Sequence, residues 1–243
     1  MKKIPSQLNL QPGEELRLWK DISEKPDRRS RYRKLARLLR KRKRFREANY
    51  VLRMVLKRIS KDQWRERRDT WKKIARNQED AGLTTQAIRT YRRLIRNYPD
   101  HFVPYERLER IYKEQNRLEE MVKVLRTVGP DNPQRERALK HLFRIAKKLE
   151  KYRAALKYLK SLIDEFGPDR RYYKEMGRMA EKAGSRSRAI GYYQKALELD
   201  PENADLELMV GVCQRKEGKK KAARKTLEHT LTYRPGWYGS HIN

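Results

Sequence analysis

SRAIGYYQKALELDP, residues 187–201, is the stretch that decides the fold, because its pattern recurs along the chain. Ala189 belongs to a column whose members are 34 residues apart: Ala87, Met121, Ala155, Ala189 and Ala223. Pro201 belongs to a second column with Pro99, Pro133 and Pro235, and Gly167-Pro168 takes the remaining place. A fixed period of this length indicates stacked supersecondary units rather than one globular core.

The period divides most of the chain into six repeats, counted so that the Ala189 column falls at position 20. The repeats are 29–62, 68–101, 102–135, 136–169, 170–203 and 204–237, and residues 63–67 (QWRER) interrupt the phase between the first two. Apolar residues at positions 4, 7, 8 and 11 predict a first helix, and those at positions 20, 24 and 27 a second. We expect a turn near position 15, where Gly184 stands in repeat 5.

The flanking segments are predicted to differ from the repeats. Residues 1–28 read as an N-terminal arm, polar over 1–12, with a short helix over 13–22. Residues 238–243 form a C-terminal tail. Trp237 and Tyr238 are expected to fold over the last hydrophobic face, and the alternative is a contact with another copy or a partner.

The repeats resemble the tetratricopeptide repeat (TPR), in which aromatic and small residues, Ala-x3-Phe and Pro recur every 34 residues. Residues 187–201 carry the best match, and Trp71, Ala87, Tyr91 and Pro99 carry a second; Met121 and Glu207 depart from the pattern. The resemblance implies an all-α fold, an α-solenoid that coils as a right-handed superhelix of about six TPR-like hairpins. It also implies a protein-interaction role, with the first helices lining a concave groove.

The charge balance predicts anionic partners. The 243-residue chain has 63 Lys+Arg against 32 Asp+Glu, a formal charge of +31. Such a surplus attracts polyanions and makes association sensitive to salt.

The N-terminus lacks the apolar core of a secretory signal and Cys213 is the single cysteine, so we expect a cytoplasmic protein without an internal disulfide.

Arginine occupies position 9 of five consecutive repeats. The column consists of Arg37, Arg76, Arg110, Arg144 and Arg178, and the sixth repeat has Val212 there. The neighbouring position 5 adds Arg33, Lys72, Lys140 and Lys174. A very basic chain places arginine at many positions, but five in one column favours a row of guanidinium groups on one face of the first helices. Such a row suits an extended polyanion.

A basic run over residues 28–46 contains no acidic residue and is a second possible polyanion patch. Its candidate residues are Arg28, Arg29, Arg31, Lys41, Arg42, Lys43 and Arg44. A solvated helix face is an equally good interpretation, and a footprint on nucleic acid or an anionic membrane is the functional one.

No catalytic or metal-binding motif is found in the sequence, so we expect no enzyme, cofactor, metal or small-molecule substrate. The four histidines lack metal-ligand spacing, and there is no glycine-rich phosphate loop. The leading hypothesis is a non-enzymatic scaffold or adaptor that binds an acidic protein segment in a basic groove, within a larger complex. The alternatives are a nucleic-acid-associated subunit, for example of a ribonucleoprotein, and a peripheral protein on an anionic membrane.

Overall fold

A computed structural model describes residues 3–233, and that range contains thirteen helices and no strand. The helices are α1 Glu14–Glu24, α2 Arg29–Lys41, α3 Phe45–Arg58, α4 Trp64–Asp80, α5 Thr84–Asn97, α6 Val103–Glu114, α7 Leu118–Leu125, α8 Arg135–Lys148, α9 Tyr152–Phe166, α10 Arg170–Lys182, α11 Arg186–Glu198, α12 Ala204–Lys216 and α13 Lys220–Tyr233. Trp237, Tyr238 and the predicted tail lie outside the described residues. The fold is an all-α helical-repeat solenoid.

Two helices correspond to each predicted repeat, from α2 and α3 in repeat 1 to α12 and α13 in repeat 6. The phase break over 63–67 has a simple structural meaning. Most of its residues lie in the first turn of α4, which at 17 residues is the longest helix described. Since this segment contains neither glycine nor proline, it lengthens a helix instead of forming a loop.

The hairpin turns share one backbone geometry. Position 15 has a positive φ in all six repeats, at Lys43, Gly82, Asn116, Glu150, Gly184 and Gly218. The amide of the next residue then bonds back to the carbonyl of position 11, as from Leu83 to Gln78 and from Lys151 to Ala146. This is the Schellman ending of a helix. The turn is thus preserved where glycine is replaced, because this bond satisfies the end of the first helix.

The N-terminal arm covers the first hairpin more closely than its sequence suggests. Leu18, Trp19 and Ile22 of α1 are buried in the cluster formed by α2 and α3. Leu8 is also buried there, although the sequence predicts a polar arm over 1–12. A solenoid exposes an apolar face at each end, and this arm covers that face at the N-terminal end.

The chain divides into two compact bodies, an N-terminal body of residues 1–121 and a C-terminal body of residues 122–243. Leu35, Leu39, Val51 and Val55 lie at the centre of the N-terminal body's core cluster. A core cluster in the C-terminal body contains Ala189, Tyr193, Ala196 and Leu206, among other residues. Each body therefore buries the apolar stripes predicted from the repeat.

Cys213 is a buried core thiol, 1% exposed, on α12. Burial, reinforced by the nearby Glu181 carboxylate, raises the pKa of Cys213 to about 12. The thiolate is the reactive form, so we expect very slow labelling by a thiol reagent at neutral pH while the protein is folded. Labelling in urea should approach the rate of a free cysteine peptide. Equal rates with and without urea would contradict this assignment.

Candidate functional site

The position 9 arginines of the N-terminal body lie on its first helices. Arg37 is on α2, Arg76 on α4 and Arg110 on α6, and all three are exposed. Among the described residues, neither Arg37 nor Arg76 forms an ion pair with a carboxylate. Arg110 contacts Glu79 and, at 3.9 Å, Glu114. Two of these three guanidinium groups are therefore available to an external anion.

A small cavity of about 190 Å³ lies beside Arg37. Its charged lining consists of Arg33, Arg37 and Arg40 from α2 and Lys73 from α4. Partial burial and then the charges of Arg33 and Arg37 lower the pKa of Lys73. Arg33 pairs with Glu66, and Arg40 donates to an Asp80 oxygen at 2.6 Å.

These contacts leave Arg37 and Lys73 as the two cations of the cavity that have no ion pair with a described carboxylate. A lowered lysine pKa means that the surroundings disfavour the charged ammonium. An anion bound in the cavity would offset that cost. The sequence did not indicate Lys73 as a site residue, because it lies at position 6 of its repeat, outside the basic columns at positions 5 and 9.

The C-terminal body carries the remaining two arginines of the column. Arg144 on α8 is exposed and forms no ion pair within residues 122–233. Arg178 on α10 donates to Glu175 at 2.9 Å, and Glu175 also accepts from Lys147 at 2.6 Å. Burial opposes ionisation of Glu175, but these two hydrogen bonds outweigh it and lower its pKa. Arg144 is thus open to an anion, whereas Arg178 already holds a carboxylate.

The basic residues at position 5 are mostly paired inside the protein. Arg33 contacts Glu66, Lys72 lies 3.5 Å from Asp69, and Lys140 lies 2.6 Å from Glu136. Lys174 is half-buried and makes no ion pair with a described carboxylate. Lys72 and Lys140 pair within their own helices. These residues add less free positive charge than their column suggested.

Two glutamates at position 12 have a structural role in the repeat. The hydroxyl of Tyr91 donates to Glu79 at 2.7 Å, and that of Tyr193 donates to Glu181. Both tyrosines are at position 24, and the other four repeats combine leucine there with Lys or Arg at position 12. This pairing is visible in the sequence, and it explains why two acids interrupt an otherwise basic column.

The candidate residues of the basic run over 28–46 lie in two groups, one at each end of α2. The two ends of the run are separated by α2, whose 13 residues span about 18 Å. Arg29 and Arg31 pair with Glu66 and Asp21 at one end, and Arg42 and Arg44 pair with Glu15 at the other. Arg28, Lys41 and Lys43 remain exposed without a carboxylate among residues 3–233.

Neither a metal centre nor a membrane span is present in the described part of the chain. No group of three His, Cys, Asp or Glu side chains there could hold a metal ion. The helices of residues 3–233 are too short or too polar to cross a membrane.

Comparison with known proteins agrees with the helical-repeat geometry. A family model described as tetratricopeptide repeat matches residues 21–209. The crystal structure of MamA protein superposes with a TM-score of 0.50 at 16% identity, covering 72% of this chain and 96% of that one. MamA from Desulfovibrio magneticus RS-1 gives 0.48 at 18% identity, with 70% and 97% covered.

YrrB, whose structure is described as a TPR protein with an unusual peptide-binding site, gives a TM-score of 0.39 at 16% identity, with 90% and 93% covered. No curated protein matches the sequence. The likeness to MamA supports the fold, and the family model covers most of the chain. Proteins of this family generally serve as non-enzymatic interaction scaffolds. The chain with the arginine column at position 9 of its hairpins belongs to the tetratricopeptide repeat family.

Proposed function

We propose that the protein is a non-enzymatic scaffold that binds an acidic protein segment along the first helices of its repeats, as part of a larger complex. The observation that carries the proposal is the pair of exposed, unpaired arginines on successive first helices, Arg37 on α2 and Arg76 on α4. Chains of this family bind peptides and proteins, which makes a protein segment the expected ligand class.

The chemistry of the cavity beside Arg37 supports an acidic ligand. Arg37 and Lys73 converge on a space of about 190 Å³ that is large enough for a carboxylate but small for a folded element. A guanidinium group binds a carboxylate through two parallel hydrogen bonds. We propose that one acidic side chain of the partner occupies this cavity and that another contacts Arg76. Arg144 offers a comparable contact in the C-terminal body.

The proposal is tested with a fluorescently labelled peptide rich in Asp and Glu. The variant Arg37→Glu/Arg76→Glu should weaken its binding by about tenfold or more, because two ion pairs are removed and two repulsions are added. The matched control is Arg89→Glu/Arg96→Glu, which makes the same change in net charge on exposed positions of α5. Fluorescence anisotropy measures both affinities.

The control separates a local contact from the general effect of a basic protein. If both double variants weaken peptide binding equally, the peptide responds only to net charge and the proposed site is wrong. A pull-down after nuclease treatment then checks the ligand class, since a protein partner should survive the treatment.

A further inference from the structure

The residues that break the repeat phase place an exposed tryptophan on the surface of the N-terminal body. Trp64, in the first turn of α4, is 47% exposed. Its ring stacks on Tyr98 with centroids 6.5 Å apart and an angle of 29° between the planes. The guanidinium groups of Arg65 and Arg68 lie 5.1 and 5.5 Å from the centre of the indole. The exposed indole of Trp64 therefore differs from a solitary surface hydrophobic in having an aromatic ring and two guanidinium groups around it.

A second indole lies on the same side of α4. Trp71 follows Trp64 by seven residues, which is two helical turns and about 10 Å along the axis. The guanidinium of Arg93, from α5, covers this ring at 4.2 Å from its centroid. The α4–α5 hairpin therefore carries a row of aromatic rings and arginines. Trp64 stacks on Tyr98, and Trp71, which packs partly against the core cluster, lies beneath Arg93.

An open cavity of about 510 Å³ continues this row beyond Trp71. The cavity is lined by Arg53, Arg89 and Arg93 together with Gln78 and Gln86, and its lining contains no acidic residue. Gln78 accepts a hydrogen bond from Thr90 at 2.7 Å, but its amide reaches Gln86 only at 3.5 Å. The side chain of Gln86 is exposed at this cavity. The site thus combines positive charge with amide groups that can donate and accept hydrogen bonds.

Positive charge extends from Arg89 to Arg96 of α5. Arg89, Arg93 and Arg96 are spaced i, i+4 and i+7, so they share one side of the helix. All three are exposed, none forms an ion pair with a carboxylate among the described residues, and α5 contains no acidic residue. The charges span about 10 Å along the axis and suit a ligand with repeated negative charges rather than a single anion.

We propose that this α4–α5 face, made of Trp64, Trp71, Arg89, Arg93, Arg96 and Tyr98, binds a single strand of nucleic acid. One base stacks on the exposed indole of Trp64, the phosphates contact the arginines of α5, and one nucleotide enters the cavity beside Gln78 and Gln86. Surfaces that bind single strands combine aromatic platforms with a basic track. An acidic peptide would use the arginines but would leave the exposed indole without a function.

Trp64 provides the sharpest test because replacing it leaves the net charge unchanged. With a short fluorescein-labelled single-stranded RNA, Trp64→Ala should weaken binding by about five- to 150-fold, the range expected when one base stack is removed. Trp64→Phe should retain most of the affinity. Phe166→Ala is the matched control, since Phe166 is also 47% exposed but lies on α9 of the C-terminal body. It should leave the affinity unchanged.

A second experiment separates this surface from the proposed acidic-peptide site. Arg89→Glu/Arg96→Glu should weaken RNA binding more than Arg37→Glu/Arg76→Glu does. For the acidic peptide we expect the opposite, with the larger loss of affinity in Arg37→Glu/Arg76→Glu. Replacing Arg89 and Arg96 by Gln should also reduce the slope of log affinity against log salt by about 0.7 for each phosphate that the protein no longer neutralises.

Each proposal can fail alone in these measurements. If Trp64→Ala and Phe166→Ala bind RNA equally, the stacking surface does not exist. The α4–α5 face is also wrong if the acidic peptide competes with RNA and both ligands respond to the same double variant. Loss of acidic-peptide binding with RNA binding intact leaves this inference standing.

Discussion

Replacing both Arg42 and Arg44 by Gln should lower the free energy of unfolding by about 3 kcal/mol. Both arginines hold Glu15, whose side chain is completely buried on α1. Arg42 reaches one carboxylate oxygen at 2.6 Å and Arg44 reaches the other at 2.8 Å. The backbone amide of Gln11 also donates to Glu15, at 2.7 Å. Without the arginines, the buried Glu15 carboxylate keeps the Gln11 amide as its one partner among the described residues.

The network has consequences beyond one ion pair because it connects the N-terminal arm to the first hairpin. Arg44 also bonds to Glu47 of α3, and this hydrogen bond, ahead of the opposing effect of burial, raises the pKa of Arg44. Glu47 in turn accepts from the backbone amide of Asn9 at 2.9 Å. We therefore expect the arm to detach in the double variant, as cleavage near Asn9 by limited proteolysis should show.

Two further variants identify the buried charge as the cause. Adding Glu15→Gln to the double variant should recover much of the stability, because it removes the uncompensated carboxylate. Arg224→Gln breaks the exposed pair with Glu228 and should cost about 0.5 kcal/mol or less. Urea denaturation followed by circular dichroism compares these variants with the parent protein. A double variant no less stable than Arg224→Gln would refute the prediction.

Gly177→Ala should destabilise the C-terminal body by about 2 to 3 kcal/mol. A methyl group at Gly177 would lie 2.2 to 2.6 Å from three ring atoms of Tyr193. That ring is buried, and its hydroxyl is bonded to Glu181, so it cannot move aside without losing the bond. α10 and α11 must therefore separate to admit the added carbon.

Gly191→Ala is the matched control for Gly177→Ala, since it makes the same chemical change one helix later. A methyl group at Gly191 meets no atom within 4 Å, and Gly191 lies inside α11. The change should stabilise the protein by about 0.5 to 1 kcal/mol, as alanine usually does in a helix. Thermal unfolding of the two variants should shift in opposite directions, and a common direction would contradict the packing argument.

The sequence predicted the hairpins well because their signals are local. Apolar spacing along each helix depends only on residues a few positions apart, and the 34-residue recurrence of Ala189 and Pro201 repeats that local pattern along the chain. Position 15 forms the same turn even at Glu150, where glycine is absent. The arm was less predictable, because Leu8 is buried in a cluster that includes residues of α2 and α3, which are distant in sequence.

The sequence could not predict which residues of the candidate sites are free to bind a ligand, because that depends on which arginines form ion pairs with carboxylates. The column of five arginines is a sequence property, yet Arg110 and Arg178 hold carboxylates while Arg37, Arg76 and Arg144 hold none among the described residues. Position in a repeat fixes the side of a helix on which a residue lies. It does not fix which acid from a neighbouring helix lies within reach, because that acid comes from elsewhere in the chain.

The sequence by itself therefore determined the repeat, the helices and the excess of positive charge. Pairs within one helix, such as Arg178 with Glu175, follow from sequence spacing. The tertiary structure decided the ion pairs between helices, such as Arg110 with Glu79, and it placed Trp64 beside Tyr98 and Trp71 beneath Arg93. The physical reason is that helix formation follows periodic local spacing, whereas stacking and ion pairing need side chains to come within a few ångströms. Only the packing of one helix on another sets those distances.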